Sequence, residues 1–327
     1  MKNLLKRIGL DGFVLWLLAA ILLAWIAPST GSDHGSWSPS EVAGWGVTLI
    51  FFFYGLRLSP SQFKEGLTNV RLHMVIQIAT FVLFPLLALA VMAFVDIRQS
   101  YYLWIGVFFM AGLPSTVSSA VVMVSMARGN VPSAIFNASI SSLMGVFITP
   151  LWMSVFVNTA NGGASFNEIA TKLTLQVLLP IGLGLLLNRH WGKFVKKHDN
   201  LLRFFDQLVI VAIVYTAFCE SFEKHTFSAV SLPVLLLLTT GMAALFFTIY
   251  LVISFACRRL RFSREDRITA LFCGSKKSLV HGTVMSRVLF SDPAIIGIII
   301  LPIMIYHIMQ LMIVSVIAQK MSKEPAK

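Results

Sequence analysis

Charged residues are scarce in this sequence. Asp, Glu, Lys and Arg make up 12% of its 327 residues, about half the share found in soluble domains, whereas hydrophobic residues make up 57%. So little charge excludes a soluble globular protein and indicates an integral membrane protein, with a mean hydropathy of +0.81. The chain is long enough for about ten spans of ~20 residues with short loops and no sizeable soluble domain.

Cysteine and catalytic signatures are sparse as well. Cys219, Cys257 and Cys273 lie in apolar contexts without CxxC spacing, which argues against a disulfide framework and against a zinc site. Neither an HExxH nor a GxSxG motif occurs. We therefore expect no enzyme, no metal site and no cofactor. The alternative enzyme class is an intramembrane hydrolase with a Ser/Lys dyad, which also needs an orienting group and an oxyanion site.

Acidic residues are few, with 14 Asp and Glu against 26 Lys and Arg, which gives a net charge of +12. A basic chain could suit nucleic acid, but the positions of the charges favour a membrane. They lie largely between ten candidate spans, at 12–27, 42–56, 72–95, 102–126, 132–157, 168–187, 204–219, 231–256, 267–290 and 293–318.

The basic residues follow the positive-inside rule. With a cytoplasmic N-terminus and ten spans, 20 of the 26 lysines and arginines fall in inside segments, and only Arg98, Lys172, Lys224 and Arg287 fall outside. This pattern accounts for the net charge without a nucleic-acid partner. We predict a multi-pass protein of the cell (inner or plasma) membrane, embedded in the lipid bilayer, with both termini cytoplasmic.

The span at 267–290 is the weakest of the ten, because Lys276 and Lys277 interrupt it. Without it, the last helix would deliver the basic C-terminal tail to the outside, against the rule. At ~1.5 Å per helical residue, Lys276 then lies ~13 Å from the inner boundary, near mid-depth. A lysine there costs roughly 2.5–3.5 kcal/mol and usually lines a functional cavity. The alternative is a cytoplasmic or re-entrant loop whose lysines face water.

The number of spans suggests an internal repeat. Ten spans divide into an N-terminal set of five at 8–158 and a C-terminal set at 165–320, and an odd number per set forces opposite orientations. We therefore predict an all-α polytopic fold of ten transmembrane helices, arranged as two inverted five-helix repeats within one transporter domain, 1–327.

Two interruptions lie at corresponding places in these halves. Gly112–Val117 in span four and Gly274–Leu279 in span nine are 162 residues apart, about half the chain. Pro114 removes a backbone donor and breaks the first, and the pair Gly274-Ser275 breaks the second. Paired broken helices indicate a transport site. An ordinary proline kink, satisfied by neighbouring serines, is the alternative for span four.

At these residues the chain resembles the bile acid:sodium symporter family, and in particular its bacterial SBF-like branch. The resemblance covers nearly the whole chain and is carried by Gly112–Ser119, Gly129–Val131, Phe272–Ser278 and Leu301–His307. It implies a panel of spans 1, 2, 6 and 7, and a core of spans 3–5 and 8–10 in which spans four and nine cross. It also implies secondary transport, typically sodium-coupled uptake of organic anions.

The resemblance places the polar pair of the crossing on Ser115 and Thr116, but it does not carry over the sodium ligands. Oxygen-bearing ligands of sodium-coupled relatives are replaced by the residues Phe272, Lys276, Ala134, Ala138 and Thr80. Hard cations need oxygen ligands, preferably anionic ones. We therefore expect that this chain does not couple transport to sodium in the way its relatives do.

The lysines suggest another chemistry. We expect the ammonium of Lys276 or Lys277 to occupy the space that sodium fills in relatives, either as a counter-charge for an anionic substrate or as a proton-exchanging group. His281 and His307 are candidate proton partners. Further candidates for the substrate or ion site are the polar residues Ser118, Ser119, Asn137, Ser275 and Ser278.

The sequence thus predicts a secondary active transporter of a small organic anion that works by alternating access, with H⁺ or Na⁺ as coupling ion. One alternative is a sodium-coupled symporter of the bile acid type. Another is a non-transporting regulator of ion (calcium) homeostasis, which the resemblance permits. A substrate-dependent flux assay separates the last from the others.

Overall fold

The computed structural model describes residues 12–32, 39–57, 69–95, 100–160, 171, 174–290 and 292–323, and these residues form helices without any strand. The helices are α1 (Gly12–Ile26), α2 (Pro39–Arg57), α3 (Val70–Met92), α4a (Tyr101–Gly112), α4b (Ser118–Met126), α5 (Val131–Ala160), α6 (Leu179–Lys197), α7 (Asp199–Glu223), α8 (Leu232–Arg259), α9a (Arg264–Gly274), α9b (Leu279–Leu289) and α10 (Pro293–Ser322). The all-helical prediction is confirmed for this part of the chain.

Several helices have the dimensions of membrane spans. By length and composition, α3, α5, α7, α8 and α10 can each cross a membrane, and α1 and α4a are shorter apolar helices. The most apolar stretch of α10 is 72% buried within the bundle, against 28% for α8. The two helices are equally apolar, so their burial shows that α10 lies at the centre of the bundle and α8 at its periphery.

Two sets of helices pack among themselves. α1, α2, α6 and α7 form one set, and α3, α4, α5, α8, α9 and α10 form the other, with α7 packed both against α1 of its own set and against α10 of the other. In the first set, a Cβ added at Gly55 of α2 or Gly184 of α6 would lie 2.2 Å from a backbone oxygen of the facing helix. Glycine is required at both positions, because any side chain would clash with the facing backbone. The close approach that glycine permits favours association of membrane helices.

A π-helical turn interrupts α3 at Ala79–Leu83. The N–H of Phe84 bonds to the Ala79 carbonyl, five residues back, so the Thr80 carbonyl loses the partner that a regular α-helix would provide. The next residue, Pro85, has no N–H to offer. The turn and the proline together leave the Thr80 carbonyl oxygen available to a donor from another helix.

α4 and α9 are both broken near the middle. Non-helical residues separate α4a from α4b between Gly112 and Ser118, and α9a from α9b between Gly274 and Leu279. Both interruptions fall where the sequence predicts them, at Pro114 and at the Gly-Ser pair.

The span at 267–290 belongs to the interior of the bundle. Nearly every residue from Ile268 to Phe290 is buried, and Lys276 and Lys277 are both 0% exposed. The alternative of a loop with lysines facing water is therefore wrong.

Candidate functional site

The two breaks lie against each other. The Ser115 hydroxyl donates a 2.6 Å hydrogen bond to the Cys273 carbonyl, and the Ser278 N–H donates a 2.9 Å bond to the Pro114 carbonyl. Each break thus satisfies a backbone carbonyl at the interruption of the other helix. Non-helical backbone inside a membrane protein requires such partners, because no water is available to supply them.

Neighbouring helices hold this crossing in place. On α5, the Ser141 hydroxyl accepts a 3.0 Å bond from the Ser115 N–H. On α10, the Tyr306 hydroxyl donates a 2.7 Å bond to the Ser275 carbonyl, while the Ser275 hydroxyl bonds back to the Leu271 carbonyl at 2.6 Å. The hydroxyl of Ser275 is therefore engaged within its own helix.

Lys277 fills a cage of carbonyl oxygens. Its ammonium donates to the carbonyls of Thr80, Ala111 and Leu113 at 2.7, 2.6 and 2.8 Å, and it lies 4.2 Å from the centre of the Phe84 ring. A lysine ammonium has three donors, and all three are used. The ring face adds a cation–π contact. Lys277 is thus a fully satisfied buried cation.

The backbone of Lys277 is clamped from α10. The Gln310 side chain accepts a 2.8 Å bond from the Lys277 N–H and donates a 2.8 Å bond to the Lys277 carbonyl. The same amide nitrogen lies 3.0 Å from Nδ1 of His307. Among the described residues, His307 therefore meets Gln310 and the backbone of Lys277, and it makes no hydrogen bond to either ammonium.

Lys276 has a different environment from its neighbour. Within the described part of the chain, its ammonium has one hydrogen-bond partner, the Ser119 hydroxyl at 3.1 Å. Ser119 in turn donates to the Thr116 hydroxyl at 2.9 Å. The structure thus brings Lys276 together with two of the predicted polar residues of α4, and it leaves two ammonium donors without a described acceptor.

His281 lies between the two sets of helices. The hydroxyl of Ser278, which caps α9b, lies 3.0 Å from Nδ1 of His281. The His281 ring meets the ring of Tyr54 edge-on, with centroids 5.8 Å apart. Tyr54, on α2, also donates a 3.1 Å bond to the Ser139 carbonyl on α5. His281 is therefore a contact point between α9b and the set that contains α2.

Asn137 lies apart from the crossing. Its amide nitrogen donates to Nδ1 of His73 at 2.8 Å and to the Ser133 carbonyl at 2.9 Å, and its side-chain oxygen accepts from Gln77 at 3.2 Å. The structure therefore joins Asn137 to α3 rather than to the lysines. Ser118 begins α4b, but its side chain lies outside the described residues.

The positions that the family resemblance assigns to sodium ligands are largely apolar in the structure. Phe272, Ala134 and Ala138 are buried apolar residues, and the Thr80 hydroxyl bonds to the Ile76 carbonyl of its own helix. Among the described residues, no group of three His, Cys, Asp or Glu side chains could hold a metal ion.

Sequence reasoning missed the groups that surround Lys277. The identity of a residue does not reveal whether its backbone carbonyl is free, so the sequence did not point to the carbonyls of Ala111 and Leu113. Pro85 and Pro114 do mark places where carbonyls lose their helical partners, because proline has no N–H. Gln310 left a clearer signal, as a buried amide in the middle of the apolar helix α10.

Comparison with known proteins decides the family. Residues 11–323 match the family described as SBF-like CPA transporter family (DUF4137). The chain belongs to this family. It is 38% identical over 313 residues to the uncharacterized protein PA2026 of Pseudomonas aeruginosa, covering 96% of this chain and 93% of the other. It is 36% identical over 316 residues to YfeH of Escherichia coli K12, which carries the name of a symporter, covering 96% and 94%.

More distant relatives point the same way. The chain is 27% identical over 320 residues to sodium/bile acid cotransporter 7 of Rattus norvegicus, covering 96% of this chain and 93% of the relative. Membership of this transporter family, together with the membrane-length helices, makes the protein a multi-pass membrane transporter and not an enzyme. A transporter of this class acts on a small-molecule substrate with a coupling ion.

Proposed function

We propose that this protein is a secondary active transporter that moves a small organic anion by alternating access, and that the ammonium of Lys276 is the counter-charge for the anion. The observation that carries the proposal is the contrast between two adjacent lysines. Both are 0% exposed, but among the described residues the Lys277 ammonium has three carbonyl partners and the Lys276 ammonium has a single hydroxyl.

A buried charge is costly unless it is paired, so a buried ammonium with unused donors favours an anionic ligand. The hydroxyls of Ser119 and Thr116 continue from Lys276 along the start of α4b. A carboxylate or sulfonate that accepts from the ammonium and from the Thr116 hydroxyl would complete the hydrogen bonding of the site. Ser115 and Ser278 serve this site indirectly, because their hydrogen bonds hold the two breaks together, and the Ser275 hydroxyl supports the end of α9a through its bond to the Leu271 carbonyl.

The arrangement of helices suits alternating access. We assign α1, α2, α6 and α7 to a panel and α3–α5 and α8–α10 to a core, within two inverted five-helix repeats at 8–158 and 165–320. At least two hydrogen bonds connect the panel to the core. The Tyr54 hydroxyl of α2 bonds to the Ser139 carbonyl of α5, and the Ser221 hydroxyl of α7 bonds to the Ala294 carbonyl of α10 at 2.5 Å. Movement of the core against the panel would break these contacts in turn. The proposal also places the protein in the cell membrane, with both termini on the cytoplasmic side.

Protons are the coupling ion that fits these residues better than sodium. A lysine can exchange its proton when an anion arrives or leaves, and His281 at the panel contact is placed to take part. Sodium coupling is the second candidate, because the relatives include proteins named sodium/bile acid cotransporter 7. The apolar residues Phe272, Ala134 and Ala138 at the former ligand positions count against it.

A binding screen followed by transport tests the proposal. Purified protein is heated with taurocholate, citrate, lactate or glutamate, each as sodium and as potassium salt, and any stabilising anion is then followed into proteoliposomes as a radiolabelled substrate. We expect stabilisation by an anion in either salt. Lys276→Gln should lower uptake by about 30-fold or more, because removing one partner of a buried charge pair costs roughly 2–5 kcal/mol. Lys276→Arg, which keeps the charge, should retain more uptake.

The remaining outcomes decide against the proposal. If sodium chloride stabilises the protein without any organic anion and uptake depends on sodium, a sodium-coupled symporter is favoured. Absence of flux for every anion that binds would favour a non-transporting regulator of ion homeostasis. Unchanged uptake and unchanged pH dependence in Lys276→Gln would remove Lys276 from the mechanism.

A further inference from the structure

The surroundings of Lys277 have the composition of a cation site. Its ammonium is held by three backbone carbonyl oxygens at 2.6–2.8 Å and by the face of the Phe84 ring at 4.2 Å. Carbonyl oxygens and aromatic faces both present negative charge to a cation. Within the described part of the chain, no carboxylate pairs with Lys277, so the cage itself is neutral.

The cage does not depend on the lysine for its construction. The Thr80 carbonyl is freed by the π-helical turn of α3 and by Pro85. The carbonyls of Ala111 and Leu113 are freed by the break in α4, where the Ser115 N–H bonds to α5 instead of continuing the helix. Two helices other than α9 therefore build the cage from their backbones, and removal of the Lys277 side chain leaves the three oxygens in place without donors.

We propose that Thr80, Ala111, Leu113 and Phe84 form a monovalent-cation site that the Lys277 side chain fills as a tethered cation, and that the site binds a free primary ammonium ion once that side chain is removed. A primary ammonium has three N–H donors, which matches three carbonyl oxygens at short N···O distances. Divalent cations are disfavoured, because they need anionic ligands. Propylammonium has the size of the atoms lost in Lys277→Ala.

This inference deepens the proposed function and rests on it. If the Lys277 ammonium occupies the cation site permanently, transport needs no free sodium ion at this site. Lys277 would then stabilise the crossing in every step of the cycle, while Lys276 alone meets the substrate. The inference predicts a chemical rescue that follows one lysine and not its neighbour.

The test measures stability and not transport, so its failure is distinguishable from failure of the proposed function. Purified Lys277→Ala is unfolded thermally in propylammonium, tetramethylammonium, potassium and sodium chloride at equal ionic strength. We expect the variant to lose about 5 °C or more, because three buried carbonyls lose their donors. Propylammonium should restore most of this loss in a saturable manner. Tetramethylammonium, which has no N–H, should restore none.

Lys276→Ala is the matched control, since it removes the same side chain one residue away. Its melting temperature should not respond specifically to propylammonium. Equal melting of Lys277→Ala in all four salts, or an equal response of Lys276→Ala, would overturn the proposal. If Lys277→Ala is not recovered folded in ordinary buffer, it is solubilised in each salt: recovery in propylammonium alone supports the proposal, and equally poor recovery in all four contradicts it.

Discussion

The hydroxyl of Ser115, in the break of α4, lies 2.6 Å from the carbonyl oxygen of Cys273, near the end of α9a. This bond joins two interruptions that are far apart in the sequence and places the lysines that follow Cys273 beside the start of α4b. The candidate site depends on this crossing, because Lys276 and Lys277 both reach partners on α4.

Ser115→Ala should destabilise the crossing. The substitution leaves the buried Cys273 carbonyl without its donor, which costs about 1–2 kcal/mol. The expected result is a lower melting temperature of the purified protein. Ser154→Ala is the control, because among the described residues the Ser154 hydroxyl bonds to the Leu151 carbonyl of its own helix. Equal melting of the two variants would mean that the bond between the breaks contributes little.

Gln310→Leu should be more harmful than loss of one hydroxyl. The Gln310 amide satisfies both the N–H and the carbonyl of Lys277, and leucine satisfies neither. We expect a loss of about 2–4 kcal/mol in the free energy of unfolding, since two buried polar groups lose their partners. Gln319→Leu tests specificity, because that side chain is only half buried and bonds to Ser315 on the same helix. A Gln310→Leu protein as stable as the wild type would contradict the clamp.

Gly184→Ala should separate α6 from α2. A Cβ at this position would lie 2.2 Å from the Phe52 carbonyl oxygen, so the helices must move apart. Gly182→Ala, two residues earlier on the same helix, adds its methyl group to open space and should be neutral or slightly stabilising. Thermal unfolding of the two variants side by side measures the difference. The prediction is wrong if Gly182→Ala is the less stable of the two.

Asp266→Ala should loosen the start of three core helices. Its carboxylate accepts 2.8 Å bonds from the amides of Asn69, before α3, and Asn130, before α5. Because these bonds are charge-assisted and partly exposed, we expect a loss of about 1–3 kcal/mol in the free energy of unfolding. The exposed neighbour Glu265 provides the control in Glu265→Ala, which should melt like the wild type.

Much of the architecture could be predicted from the sequence, because its causes are local. Apolar runs mark the helices, and helix breakers at Pro114 and Gly274-Ser275 mark the interruptions in α4 and α9. The loop charges predict that the segment at 267–290 crosses the membrane, because the basic C-terminal tail would otherwise lie outside.

The candidate site could be located but not assigned. Asn137 was expected near the crossing, and its amide instead bonds to His73 and Gln77 on α3. The direction of one helix face depends on its packing partners, and a single sequence does not specify them. The carbonyls around Lys277 escaped notice for a related reason, since every residue carries a carbonyl and only the fold decides which ones are unpaired.

The chemistry of the residues alone predicted two lysines inside a membrane protein, beside paired helix breaks. Which lysine is held and which is available was decided by tertiary structure. The side chains of Lys276 and Lys277 are identical, but successive residues after a break point in different directions. One therefore meets the carbonyls of α3 and α4a, and the other meets the hydroxyl of Ser119.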